Sequence, residues 1–494
     1  MFGFRSAFFI VILLTYLGLG GLYAGLTPPW QAPDEPAHYN YVRYLATETG
    51  FPELVGSCYN QAYLDELKAR RFPPDLTIDR VCYEFHQPPL YYLLARPVFT
   101  LTGGSLLALR LFSVALGAGV VVLAFFIGQT IMPGQPELAL GAMALVALTP
   151  MHLAMLASVN NDALAELILA ALLLLLSRRL VAGRTGSGRA DLLLGGLLGL
   201  GLITKMTVYI AIPLAAVTLW WTARRRWPDL FRPAAIIFGL ALSIALPWYM
   251  RNAALYGQFD LLGLGRHDAV VAGQLRTGDY LAEVGWVTYL SEFVTTTFHS
   301  FWGQFGWMAV PMDGRTYLFL TLLSLLALAG LMAFAHRILS SPPELGDNLR
   351  RGHRRALGLM ALTISLMALG YGWYNIAFVQ FQGRYLFPAL IPLGLFFSAG
   401  LSEIFSRRRA WWLAGGLLLA LCWGVTAGIF SHTLDKWAVL FIGAACGLAA
   451  GRAWLARRWL LPPAWLLAAC YGGLGLLALL SPFWFVIPYL TPLP

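Results

Sequence analysis

Residues 6–26, SAFFIVILLTYLGLGGLYAGL, contain no charged side chain, and the stretch QAPDEPAHYNY (31–41) soon after sets two carboxylates, Asp34 and Glu35, side by side. A bilayer core of roughly 30 Å is crossed by about 20 helical residues, so the first stretch reads as a spanning helix and the second as the first acidic chemistry beyond it. Comparable apolar runs recur along the sequence. Hydrophobic residues make up 59% of the 494 and charged ones only 12%, which leaves too little polar surface to keep the chain soluble. The fold class is therefore an all-α polytopic membrane protein. Runs of this length satisfy their own backbone groups in lipid, whereas barrel strands are shorter and alternate in polarity.

Spans are predicted at 6–26, 105–129, 138–154, 158–177, 191–204, 206–223, 233–250, 316–336, 356–374, 385–405, 410–430, 436–451 and 463–482, about thirteen crossings of one transmembrane domain over 1–494. No small-residue cleavage pattern follows residue 26, so the first run reads as an uncleaved helix. The net charge of +10 is not gathered into a basic, aromatic-interleaved tract, which argues against nucleic acid as a partner. It falls instead into clusters: Arg178/Arg179/Arg184/Arg189, Arg224/Arg225/Arg226/Arg232, Arg337/Arg350/Arg351/Arg354/Arg355, Arg407/Arg408/Arg409 and Arg452/Arg457/Arg458. With Arg5 also inside, one alternation of spans puts every cluster on the cytoplasmic side. Segments 27–104 and 251–315 then lie outside, and function is expected on that face.

In the first of these, PAHYNYVRYLAT (36–47) starts with Pro after two acids, as helices do, and PPLYYLLARPVF (88–99) is as tyrosine-rich and too short to span. Both read as helices resting at the interface. In the second, FHSFWGQFGW (298–307) reads as an aromatic anchor or as the lining of an acceptor groove. Cys58 and Cys82 share the first segment, where a disulfide and a pair of free thiols are both open; Cys422, Cys446 and Cys470 read as apolar filler. No His or Cys spacing suggests zinc.

Four polar features adjoin membrane boundaries: Asp34 with Glu35, FHQPPLYY (85–92), SVNNDALAE (158–166) and QFQGRYLFPALIP (380–392). Ionisable groups so near hydrocarbon are costly unless solvated or paired, which makes them functional candidates. In order, PDEPAHYNY, HQPPLYY and GRYLFPALIP resemble the GT-C superfamily of integral membrane glycosyltransferases. The likeness is to the protein O-mannosyltransferase and aminoarabinose transferase branch, and more closely to an uncharacterised bacterial membrane family allied with it. The resemblance implies transfer of a sugar from a polyprenyl-phosphate donor to a glycan, lipid or protein acceptor, with inversion, at the external face of a bacterial inner (plasma) membrane.

Under that resemblance Asp34 matches the catalytic acid position and is the expected general base, with Glu35 in support, since an ordinary carboxylate is ionised at neutral pH. The competing reading is that the pair caps the 36–47 helix. Arg384 is the first choice to hold the donor phosphate, against simple snorkelling. Lys205 is a second phosphate contact or the anchor of a hairpin, and Asp162 orients the sugar or a cation, or caps its helix. Tyr39 and Tyr385 are further substrate-binding candidates. His86 and Gln87 stand where aminoarabinose transferases carry Glu-Lys, so phosphate binding there is in doubt; His86 otherwise bonds a backbone group. No cofactor is required, a divalent cation is compatible, and no nucleotide-binding glycine pattern is present. A transporter or flippase of lipid-linked sugars would place its polar groups at mid-membrane in repeated halves, and neither pattern is seen. A polysaccharide polymerase or ligase is the other alternative.

Overall fold

The computed structural model describes residues 2–183, 186–223, 227–340, 347–406, 410–430, 435–455 and 463–491. The opening apolar run is α1 (Phe2–Leu26), and the two-acid stretch turns the chain into α2 (Glu35–Thr47). Then come α3 (Gln61–Ala69), α4 (Leu90–Leu101), α5 (Leu106–Ile131), α6 (Pro136–Leu148), α7 (Pro150–Leu156), α8 (Asp162–Ala182), α9 (Gly188–Leu202) and α10 (Ala211–Thr222). The long α11 (Trp227–Tyr256) leads into α12 (Leu264–Val270), α13 (Thr277–Trp302), α14 (Gly314–Ser340), α15 (Asp347–Ala377) and α16 (Leu390–Ile404). The last described helices are α17 (Ala410–Phe430), α18 (Lys436–Leu455), α19 (Pro463–Ser481) and α20 (Ile487–Leu490). One short antiparallel pair, Gln304–Phe305 with Val310–Pro311, interrupts an otherwise helical chain.

Among the described residues seven helices are long and apolar enough to cross a membrane, or eight if the bent pair α6 and α7 is one span. The chain is thus a multi-pass membrane protein, and the expected thirteen crossings are not reached by this measure. The differences are local. α8 carries Asp162, Glu166, Arg178 and Arg179, α9 has only 15 residues and α10 only 12. The run at 138–154 is bent by 64° where Thr149 precedes Pro150, because the residue before proline is pushed out of helical geometry. The run at 385–405 begins as a 3₁₀ turn, Gly383–Ala389, before α16. Of the basic clusters, Arg184, Arg224, Arg225, Arg226, Arg407, Arg408, Arg409, Arg457 and Arg458 lie outside the described residues.

Helix packing uses small residues where backbones meet. α14 crosses α16 so closely that a Cβ on Gly330 would lie 1.9 Å from the Gly400 carbonyl oxygen, so only glycine fits. The two long inter-span segments also pack together. Val271 joins Ala37, Leu67 and Val81 in a small apolar core, the Trp307 indole N–H donates to Trp30 O (2.9 Å), and Arg266 Nε donates to Leu54 O (2.8 Å). A Cys58–Cys82 disulfide closes the first segment, resolving the open alternative.

The tyrosines of this layer face protein. Tyr41 stacks on Tyr92 with ring centroids 3.7 Å apart, and both are fully buried. In the 298–307 stretch Trp302 and Phe305 are each 2% exposed. Two of the aromatic residues expected to anchor in lipid or line a groove are thus core packing, while Phe298, Phe301 and Trp307 are half-buried against the apolar core.

Candidate functional site

Asp34 occupies the position before the first turn of α2 with φ 67° and ψ −7°, a left-handed conformation that costs a side-chain-bearing residue about 1–3 kcal/mol. Its side chain makes no capping hydrogen bond. Instead Oδ1 accepts from the Tyr83 hydroxyl (2.7 Å) and Oδ2 from Arg384 Nη2 (2.8 Å). Burial would raise the Asp34 pKa, but the guanidinium of Arg384, the nearby His38 and the two hydrogen bonds outweigh it and bring it down to about 2. The carboxylate is therefore ionised at neutral pH and engaged with a cation.

Arg384 is presented by the 3₁₀ turn Gly383–Ala389. Gly383 sits so close to α13 that a Cβ would lie 2.3 Å from Thr297 O, and its N–H donates to Ser300 Oγ (2.7 Å). Arg384 Nε donates to Gln382 Oε1 (2.7 Å), whose amide in turn donates to Gln380 Oε1 (2.6 Å), and the guanidinium lies 5.3 Å from the Tyr385 ring centre. One fork of the arginine is thus fixed while the other meets Asp34.

A second ion pair joins Lys205 Nζ to Asp162 Oδ1 at 2.7 Å. Asn161 Nδ2, just before α8, donates to Gln87 Oε1 and to Thr204 O, both at 3.3 Å. That side chain ties the 85–92 stretch, the start of α8 and the Lys205 turn together. His38 lies within electrostatic reach of both pairs. Burial lowers its pKa most, Glu84 opposes, Lys205 lowers it further, and Asp34 and Asp162 raise it; the net is downward, so the ring is neutral. Its Nδ1 is 2.8 Å from the Tyr92 hydroxyl. Glu84 adds a third carboxylate, with Oε2 buried and lacking a hydrogen-bond partner.

Glu35 points elsewhere. It is fully buried and meets Arg110 in a two-pronged ion pair, Oε1 to Nε at 2.8 Å and Oε2 to Nη2 at 2.6 Å, with added donation from the Val159 and Trp30 N–H groups. Arg110 spends its remaining donors on the carbonyls of Ala24, Thr27 and Pro28. Adjacent in sequence, Asp34 and Glu35 serve two separate arginines.

A family model described as "Predicted membrane protein (DUF2142)" matches residues 77–393, well over half of the chain. The chain belongs to the DUF2142 family. The matched part includes Glu84, Gln87, Asp162, Lys205 and Arg384, and begins after Asp34. Among solved structures, ArnT from Cupriavidus metallidurans bound to undecaprenyl phosphate is similar at 15% identity and TM-score 0.52, covering 96% of this chain and 77% of that one. Its apo state gives 16% identity, TM-score 0.52, and coverage of 97% and 77%. The archaeal oligosaccharyltransferase AglB from Archaeoglobus fulgidus, in complex with an inhibitory peptide and a dolichol-phosphate, gives 13% identity and TM-score 0.50. There the match covers 96% of this chain and 56% of AglB, so the DUF2142 chain spans little more than half that protein's length. These likenesses are of fold, and the fold is the GT-C type.

The sequence-chosen residues thus separate into groups in this DUF2142 protein. Asp34 with Arg384, and Asp162 with Lys205, are brought together in pairs, and Gln87 is linked to the second through Asn161. His86 is 4% exposed and faces the His267 ring at 4.5 Å. Burial and His267 take its pKa down to about 3, against a hydrogen bond from Nδ1 to Tyr83 O. Tyr39 donates to Gly104 O (2.8 Å) and packs edge-on to Trp30, bracing the segment. Tyr385 lies beside Arg384 among Tyr371 and Tyr374. Sequence reasoning missed Tyr83, Glu84, His38 and Arg110. A titratable residue four positions after Asp34, on the same helical face as that turn, was the available signal for His38. Among the described residues no three His, Cys, Asp or Glu side chains converge as metal ligands.

Proposed function

We propose that this protein transfers a sugar from a polyprenyl-phosphate-linked donor to an acceptor at the external face of a bacterial plasma membrane, with inversion at the anomeric carbon. The observation that carries this reading is the contact between Asp34 and Arg384, 350 residues apart, which joins a carboxylate to a guanidinium, a group suited to phosphate. Arg384 and Lys205 take the donor phosphate. A guanidinium that turns to phosphate oxygens no longer neutralises Asp34, whose pKa then climbs from about 2 toward the ordinary carboxylate range. Donor binding thereby makes the base stronger when it is needed.

The step balances simply. The acceptor's proton passes to Asp34, its oxygen or nitrogen forms a bond to the anomeric carbon, and the bond from that carbon to the phosphate oxygen breaks. The phosphate leaves with the electron pair, its charge met by Arg384 and Lys205. Asp162 orients Lys205, Tyr385 and Gln87 shape the donor side, and His86 is a neutral wall. Glu35, through Arg110, holds the backbone that gives Asp34 its left-handed turn, and Tyr39 braces the same segment. The chemistry needs no cofactor, since a monophosphate leaving group can be served by two fixed cations.

The test is transfer from a polyprenyl-phosphate sugar by purified protein in lipid nanodiscs. Asp34→Asn keeps its hydrogen-bonding shape and is expected to abolish turnover while the protein remains folded. Normal turnover by that variant would remove the assignment.

A further inference from the structure

Of the three carboxylates at the site, two have cations of their own: Asp34 meets Arg384, and Asp162 meets Lys205. Glu84 does not. Among the described residues it pairs with no cation, and its Oε2 is buried without a hydrogen-bond partner. A carboxylate accepts hydrogen bonds and cannot make them, so such an oxygen is satisfied only by a donor brought to it. Asn161 Oδ1 is a second buried acceptor in the same condition, and its own amide is tied to the Gln87 side chain, three residues beyond Glu84. What the stretch from Glu84 to Gln87 lacks is donors.

Glu84 stands on the 3₁₀ turn Tyr83–His86, whose Tyr83 hydroxyl donates to Asp34 Oδ1. It lies within electrostatic reach of His38, Tyr374 and Tyr385, and Asp34 is within reach of the same three. Arg384 reaches both of those tyrosines as well. Their rings meet edge to face with centroids 5.7 Å apart, both are half-buried, and the Arg384 guanidinium is 5.3 Å from the Tyr385 ring centre. Glu84 therefore shares its aromatic neighbours with the phosphate ligand, on the donor's side of Asp34. Small-molecule sites commonly combine aromatic walls with a few placed polar groups in this way.

The chemistry of the donor narrows what can meet Glu84. Phosphate oxygens are acceptors of like charge and are repelled by it. The polyprenyl chain has no polar hydrogen. The sugar has several hydroxyl donors, and its ring carries apolar C–H faces that suit tyrosine walls.

We propose that Glu84 selects the sugar of the donor: its carboxylate accepts hydrogen bonds from sugar hydroxyls, with Tyr374 and Tyr385 walling the ring. This deepens the transfer reading and rests on it. Glu84 takes no proton in the reaction, which stays with Asp34.

The test is binding to the full chain in lipid nanodiscs, read as competition against a photoreactive undecaprenyl phosphate. The competitors are undecaprenyl phosphate esterified to glucose, mannose or arabinose, and undecaprenyl methyl phosphate, which has the same single charge and no sugar. In Glu84→Ala at least one of the three glycosyl donors should lose about tenfold in affinity while the methyl ester stays within about twofold of wild type. Where alanine lowers the thermal midpoint, Glu84→Gln, of the same size, is read in the same way. Equal changes for methyl and glycosyl probes would overturn the proposal, being the mark of a charge or packing effect alone. So would glycosyl affinities untouched by either variant. Binding needs no turnover, so a sugar-specific loss in Glu84→Ala beside normal turnover by Asp34→Asn would sink the assignment of the base and leave the sugar site.

Discussion

Asp34 combines a strained backbone with a carboxylate whose proton affinity is suppressed chiefly by Arg384, with His38 and the Tyr83 hydroxyl adding to it. A helix cap would explain the position, but the side chain caps nothing and reaches Tyr83 and Arg384 instead. The sign of the linkage is that of a depressed carboxylate. Its contribution to stability is present above the ordinary value of 3.8 and is lost as pH falls toward about 2. In catalysis the same coupling separates two profiles, because kcat/KM reports the free enzyme and kcat the donor complex. With Arg384 turned to phosphate, the acid limb of kcat should fall near pH 4, while kcat/KM shows no Asp34 limb above about pH 3. In Arg384→Gln both limbs should coincide near pH 4, and the donor KM should rise about tenfold. Acid limbs at unchanged positions in that variant, measured by initial rates from pH 3 to 7, would mean that Arg384 does not set the Asp34 proton affinity.

At the level of elements, the turn between α1 and α2 is held by Glu35 and Arg110, an ion pair with 0% and 3% of its side chains exposed. Removing one partner of such a pair leaves the other charged and without its counter-ion, a loss of about 3–5 kcal/mol. Glu35→Gln should therefore lower the thermal midpoint in detergent far more than Asp34→Asn, whose pair is partly exposed. Equal midpoints would show that Arg110 finds adequate partners in the carbonyls of Ala24, Thr27 and Pro28 alone. The contrast also explains what the sequence could reveal. Apolar runs, the PDEP turn and the GRYLFP turn are local patterns, and the two turns hold residues, Asp34 and Arg384, that the fold brings into contact. Partnership is not local: Arg110 is 75 residues from Glu35, and Tyr83 is 49 from Asp34. No spacing rule could tell that adjacent acids face different cations, or that Trp302 and Phe305 turn inward. Fewer helices meet the length-and-apolarity measure than the thirteen expected for a related reason: α9 and α10 are short and α8 carries four charges, features compatible with protein burial but not with a simple apolar stripe.

Across the whole molecule, chemistry and membrane orientation must agree. The segments 27–104 and 251–315 contribute Asp34, Tyr83, Glu84 and His86 on one side and His267 on the other, and they pack on each other through Val271 and Trp307. They therefore occupy one face of the membrane together. In the reading proposed above that face is the external one, since short loops rich in Lys and Arg ordinarily stay in the cytoplasm. Arg179 is informative here: it is buried in an ion pair with Asp191 at 2.5 Å, so it is a packed residue and its vote in the charge count is weaker than that of an exposed arginine. Arg351, Arg354 and Arg355 near the start of α15 lie at the end opposite the 3₁₀ turn that follows it with Arg384, the arrangement expected if that end is the cytoplasmic one. Single cysteines at the exposed positions Glu53 and Asp75 should react with a membrane-impermeant maleimide added to intact spheroplasts, and one at Arg351 only after lysis. The reverse pattern would place Asp34 and Arg384 in the cytosol, and a base on that side could not serve an acceptor on the external face.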